Sequence, residues 1–166
     1  MRVLVAYDTR HGSTRDAAER VAEAVRGGGL DAELLDLRSE GAAAIPLEGY
    51  GAVALGAPFY MGRWSSRARA FAARRERELK GKAFGLFVLG ADPKQGEETV
   101  KAALPVSLRG SVLASAYLGG RLDFHALGRF ERFVMKMVSG GSSSYSNLDL
   151  AKAEGLGRAL AAELRP

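Results

Sequence analysis

Six consecutive residues, Thr9-Arg10-His11-Gly12-Ser13-Thr14, carry three hydroxyls, an imidazole and a glycine. They lie directly after an apolar run (RVLVAY, 2–7) and directly before a helical pattern. Residue types of this kind at such a junction suit a phosphate group. The first amides of a helix have no partner within it and sit at the positive end of its dipole. A turn that wraps an anion there needs hydroxyl donors and a backbone that comes close. Thr9, Ser13 and Thr14 supply the hydroxyls, and Gly12 the permissive backbone. The same letters also describe an ordinary helix start, with Ser13 or Thr14 as N-cap and Asp16 in the first turn. Other nucleotide loops fit worse: there is no GxxxxGK[ST], and no GxGxxG follows a strand.

The elements that must position this loop are legible as hydrophobic patterns. Apolar runs at 2–7, 52–57, 83–89 and 111–118, with a shorter one at 31–37, have strand lengths. Between them run helical patterns. Ala17, Ala18, Val21, Ala22 and Val25 share one face of the first, which Gly27, Gly28 and Gly29 stop. Trp64, Ala68, Phe71, Ala72 and Leu79 line a second helix expected over 64–80, which Gly81 ends. A short helix is expected over 96–104 and a terminal one over 149–164. Strands apolar on both faces must be covered on both, which predicts an α/β fold with a parallel sheet between helical layers. With 166 residues, no repeat and no linker, 1–166 reads as one domain. Residues 119–148, between the last strand and the last helix, do not fit the alternation.

Composition removes several chemistries. With no cysteine, disulfides, thiol nucleophiles and thiolate metal sites are excluded. Two histidines, His11 and His125, are too far apart for a helical zinc motif, and no metal site is expected. No apolar run approaches the ~18 residues of a membrane span, and the chain opens on a strand rather than a leader, so a cytoplasmic protein is expected. The net charge of +5 is localised: residues 61–82 hold eight basic and two acidic side chains. A solvated helix face explains such a run, as does an acidic partner. Nucleic acid is disfavoured because no stacking-aromatic motif accompanies the arginines.

VAYDTRHGSTRDAAERVAEAV (5–25) resembles the phosphate loop and first helix of flavodoxins. That resemblance implies a flavodoxin-like three-layer sandwich, a five-stranded parallel sheet of order 2-1-3-4-5, and FMN as cofactor. The family's loop runs Ser/Thr-x-Thr-Gly-x-Thr. Thr9, Gly12, Ser13 and Thr14 match it, while His11 replaces the usual Thr, where an imidazole or backbone N–H serves instead. GAPFYMGRW (56–64) and RFERFVMKMVSGG (129–141) are similar to menaquinone-dependent protoporphyrinogen oxidases, flavodoxin-like enzymes with a long insertion before the final helix. The insertion at about 119–148 falls at that place.

With this strand order, ligands sit at the carboxyl ends of strands one and three, where the order reverses. The loops 8–13, 58–63 and 90–95 converge there. A flat flavin ring wants aromatic faces and close backbone. Phe59, Tyr60, Met61 and Gly62 in the second loop, and Gly90, Ala91 and Asp92 in the third, join Thr9, Arg10, His11, Gly12, Ser13 and Thr14 as candidate cofactor-binding residues. Tyr60, read as mid-loop, is the stacking candidate. Trp64 serves equally as a core residue opening its helix. Asp92 either accepts from the flavin edge or starts the turn with Pro93. His125 is a surface histidine or a proton carrier. No side chain is assigned as catalytic, since the flavin carries the electrons and the protein binds and tunes it.

The insertion repeats apolar residues at helical spacing (Leu127, Phe130, Phe133, Val134, Met137, Val138) beside Arg129, Arg132 and Lys136, with Gly140 to Ser144 a flexible loop after it. Such a helix over 126–138 suits peripheral contact with the inner face of an anionic membrane, a cover over a substrate pocket, or packing on the sheet. Two redox functions follow from the resemblance. One is an FMN-dependent oxidoreductase that takes two electrons from a small organic substrate and hands them to a quinone-type acceptor, as in heme biosynthesis. The other is a flavodoxin, a carrier with a redox partner and no substrate. The basic surroundings favour the first, because positive charge stabilises an anionic reduced flavin. A receiver module shares the strand order, but its acidic pair, phosphorylated Asp and Lys are missing as a set.

Overall fold

The computed structural model describes residues 1–60, 62–90, 96–122, 128, 129, 132, 133, 136, 137 and 145–165. Met61, Ala91, Asp92 and His125 lie outside the described residues, as do Leu127, Phe130, Val134, Val138 and the stretch 140–144. In chain order the elements are β1 (Arg2–Tyr7), α1 (Ser13–Gly27), β2 (Asp31–Asp36), β3 (Ala52–Tyr60), β4 (Arg63–Trp64), α2 (Ser66–Arg74), α3 (Glu76–Leu79), β5 (Ala83–Leu89), α4 (Glu97–Ala102), α5 (Val106–Arg109), β6 (Val112–Tyr117), β7 (Arg121–Leu122), β8 (Tyr145–Ser146) and α6 (Leu150–Glu163).

Five long strands pair in parallel in the order β2-β1-β3-β5-β6. Counted without the two-residue β4, this is the expected 2-1-3-4-5. Alternation along each strand splits the core in two. Val3, Val5 and Tyr7 face α1 and α6, together with Phe87 and Leu89 of β5. Leu4 and Ala6, with Val53, Leu55, Phe84 and Leu86, face α2, α3, α4 and α5. The inner strands are apolar throughout because both faces are covered. β2 is half-buried along most of its length because it is an edge.

Three expected boundaries are corrected. The third strand does not stop before Pro58 but runs to Tyr60, so Phe59 and Tyr60 are strand residues rather than loop residues. Proline is tolerated there because the ladder to β1 ends at Tyr7 opposite Gly56, leaving no bond on that side to lose. The helix expected over 64–80 starts later and breaks once. Trp64 closes a hairpin on β3, opposite Phe59, instead of opening a helix. Ser65 then caps α2, its hydroxyl accepting from the Ala68 amide at 3.3 Å. The break at Arg75 comes with tertiary bonding: its guanidinium donates to the carbonyls of Ala43 (2.7 Å) and Ile45 (2.9 Å) and to Glu78 (2.9 Å). Arg75 is therefore not part of a merely solvated basic face. Finally, the short helix expected over 96–104 is α4, which ends at Ala102, and a further helix, α5, follows Pro105 where none was expected.

The insertion leaves the sheet after β6 and returns through the antiparallel β7–β8 pair before α6. Its base is tightly held. Gly119 has φ 74°, and a Cβ there would lie 2.4 Å from the Asn147 carbonyl oxygen. The Asn147 side chain accepts from the Gly120 amide at 2.7 Å.

The seam between α1 and α6 depends on small residues. A Cβ at Gly157 would lie 2.5 Å from the Val21 carbonyl oxygen and 2.7 Å from the Ala24 Cβ, whereas one at Gly155 meets nothing within 4 Å. Alanine gains about 1 kcal/mol over glycine in a helix interior. Overpacking costs about 1–3 kcal/mol. Gly157→Ala is therefore expected to destabilise the protein and Gly155→Ala to stabilise it, read as opposite shifts of the urea unfolding midpoint.

Candidate functional site

The chain turns from β1 into α1 through Asp8–Gly12. Asp8 donates its amide to the Gly56 carbonyl (3.0 Å), which extends the β1–β3 edge by one bond before the chain departs. Thr9 then folds the loop on itself, its Oγ1 accepting from the Gly12 amide at 3.0 Å. Gly12 adopts φ 90° and is the N-cap of α1, without a side-chain cap bond. The alternative start, with Ser13 or Thr14 capping, is thus corrected: both lie inside the first turn. Glycine is required because an L side chain rarely holds this left-handed conformation.

The consequence is chemical. The first intrahelical bond of α1 runs from the Asp16 amide to the Gly12 carbonyl, at 3.0 Å. The amides of Ser13, Thr14 and Arg15 precede it and have no partner within the helix. The N-cap is a glycine and offers them no side-chain bond. The hydroxyls of Thr9, Ser13 and Thr14 belong to the same turn, with Thr14 buried at 3% exposure and Thr9 and Ser13 half-buried. Arg10 and His11 form the exposed crest of the loop. Donors of this kind at the positive end of a 15-residue helix make an anion site.

The neighbouring loops reach the same edge of the sheet. Tyr60 and Arg63 pair across a two-residue turn in which Gly62 takes φ 75°. Tyr60 is 49% exposed, whereas Phe59 is 5% exposed and packs in the α2-side core with Trp64. Of the two aromatics, Tyr60 is the one that reaches solvent, while Phe59 is buried. Trp64 is a core residue as well, and its buried Nε1 has no hydrogen-bond partner among the described residues. Gly90 ends β5 beside them, but its missing side chain already serves a contact within the protein. A Cβ there would lie 2.6 Å from the Tyr117 hydroxyl and 2.9 Å from the Phe59 carbonyl oxygen. Its amide donates to Gly119 at 3.0 Å, which ties the third loop to the base of the insertion.

Two arginines that sequence reasoning passed over complete the site. Arg38 donates Nη1 to the Thr9 carbonyl at 2.7 Å. Arg121 of β7 donates Nη2 to Asp16 at 2.6 Å and so fastens the insertion to the first turn of α1. Neither has a local signal, because each acts across a long sequence separation. Tyr7, beneath the loop, has its phenol pushed above its usual 10.0 by burial first and by Asp36 and Glu19, with Arg15 opposing. Among the described residues, no three His, Asp or Glu gather as metal ligands, and no helix is long and apolar enough to cross a membrane.

A parallel sheet of this order, with an anion-binding first loop and its neighbours at the switch point, defines the flavodoxin-like class. The family described as a flavodoxin domain matches residues 4–149, and the chain belongs to it. FMN is the cofactor of that family. No curated protein matches the sequence. Among solved structures, oxidised flavodoxin 1 from Bacillus cereus is 18% identical with a TM-score of 0.67, over 99% of this chain and 100% of that one. A flavodoxin from the domain Archaea is 14% identical with a TM-score of 0.62, over 98% of each chain. The flavodiiron protein from Giardia intestinalis is 18% identical with a TM-score of 0.67 over 97% of this chain, which spans 35% of that protein's length.

Two outcomes test the site. Gly12→Ala is expected to lose about 1–2 kcal/mol of stability through the left-handed φ and to weaken FMN binding as the first-turn amides shift, both read by titration of the apoprotein. For Tyr7, the raised value means that the folded state holds the phenolic proton more tightly than the unfolded state. Its contribution is complete below pH 10 and is lost as the pH climbs through the folded value. Tyr7→Phe should therefore make the alkaline loss of stability shallower, measured by urea unfolding at about pH 8 and about pH 11.

Proposed function

We propose that this protein is an FMN-binding redox protein that works as a flavodoxin-type electron carrier. The observation that carries the reading is the first turn of α1: the amides of Ser13, Thr14 and Arg15 and three hydroxyls gather at the edge where Tyr60, Gly62 and Gly90 also end, a donor set that supports phosphate binding. The donor set fits the FMN phosphate. The amides of Ser13, Thr14 and Arg15 and the hydroxyls of Thr9, Ser13 and Thr14 would hold it, and Tyr60 would stand against the ring. FMN, when bound, supplies the electron-accepting ring. Gly12 and Thr9 set the direction of the donors.

A second reading is favoured by the insertion. Its base is fastened to the cofactor loops through Arg121–Asp16 and Gly119–Gly90. Beyond that base, Phe133 is 62% and Met137 73% exposed, with Arg129 and Lys136 exposed nearby. An FMN-dependent oxidase of the protoporphyrinogen type, passing two electrons from an organic substrate to a quinone at an anionic membrane, would use such a segment. The likeness of 56–64 and 129–141 to those oxidases supports it.

Titration of apoprotein with FMN, followed by flavin fluorescence quenching, tests the shared claim; saturable one-to-one binding is expected. Incubation of the holoprotein with protoporphyrinogen and a quinone then separates the readings. Absence of turnover, with electron exchange to a redox protein retained, is the outcome expected of a carrier.

A further inference from the structure

We infer that Arg38 makes the phosphate loop selective for a phosphorylated flavin, by pinning the loop and by cancelling a buried carboxylate beneath it. The inference rests on the FMN reading above and concerns the same site.

Arg38 lies two residues past the end of β2. Its own amide donates to Asp36 Oδ1 at 2.9 Å, and the Leu37 amide donates to the Tyr7 carbonyl at 2.8 Å. The backbone is thereby fixed beside the end of β1. From there the side chain crosses to the loop. Nη1 donates to the Thr9 carbonyl at 2.7 Å, and Nε lies 3.9 Å from Asp8 Oδ1. The Arg38 side chain remains 42% exposed, while the Asp8 side chain is only 9% exposed.

Charge around the loop shows why this matters. Asp16 is paired with Arg121 at 2.6 Å, and Arg15 with Glu19 at 3.0 Å. Asp8 has Arg38. Without it, a buried carboxylate would stand one residue before Thr9, under a turn that must accept a phosphate. Like charges at such range in a partly buried site oppose binding strongly. The guanidinium also has donors beyond the one on Thr9, and the side chain reaches solvent. Arg38 is thus a positioning residue through Thr9 and an electrostatic one through Asp8.

The test uses apoprotein titrated with FMN and, separately, with riboflavin, which lacks the phosphate. Arg38→Gln is expected to weaken FMN by about tenfold or more while changing riboflavin affinity less than about twofold. Arg38→Lys should recover part of the loss, and the salt dependence of FMN binding should be shallower in Arg38→Gln than in the parent. Adding Asp8→Asn to Arg38→Gln should restore part of the FMN affinity, which a purely structural role for Arg38 would not produce. Circular dichroism and the urea midpoint check that each variant folds. Unchanged FMN affinity in Arg38→Gln, equal losses for both ligands, or no rescue by Asp8→Asn overturns the inference while leaving the cofactor reading intact. A parent protein that binds neither ligand overturns both.

Discussion

A helix bonds each amide to the carbonyl four residues back, so its first turn always holds donors that something outside must satisfy. At α1 the Thr9 hydroxyl takes one of these, that of Gly12, and leaves those of Ser13, Thr14 and Arg15. Much of the remaining architecture fixes where these three point. β1 is buried along nearly its whole length between two helical layers and cannot shift. α1 packs through Ala17, Ala18, Val21, Ala22 and Val25, and its close approach to α6 at Gly157 sets its tilt. The position of the anion site is therefore decided by packing well away from it.

Electrostatics around this turn is balanced rather than simply positive. The chain carries a net +5, but the arginines near the loop are individually engaged: Arg15 with Glu19, Arg121 with Asp16, Arg38 with Thr9 and Asp8. The two exposed pairs among these, Arg15–Glu19 and Arg121–Asp16, contribute little to stability, about 0–1 kcal/mol each. The value of these contacts lies in placement. One fastens the insertion to the cofactor end, and another fastens the second strand's exit to the phosphate loop. The basic excess over 61–82 is a separate matter, and part of it is structural, since Arg75 holds the 43–45 segment.

The insertion gives this member of the flavodoxin domain family its individual character. Its ends are welded by Gly119, Gly120 and Asn147, and Gly90 joins that weld to the third cofactor loop. The likeness to flavodoxins extends over the full chain at low identity, which is a statement about the fold. What the insertion recognises is a property of its own side chains.

The residues alone determined the parallel sheet with both faces covered and marked a candidate anion loop, because hydrophobic period and helix-start chemistry are local; the strand order came with the resemblance to flavodoxins. Thr9, Gly12, Ser13 and Thr14 were readable for that reason, as were the buried faces of α1 and β3. Only the tertiary structure decided that Gly12 and not Ser13 caps the helix, since a left-handed φ is not written in a letter. It also decided that Phe59 turns into the core while Tyr60 turns out, which follows from the strand running past Pro58 and pairing with β4. Arg38 and Arg121 were silent in the sequence because their partners lie 29 and 105 residues away. A long side chain's role is set by what the fold brings within its reach, and no local pattern encodes that distance.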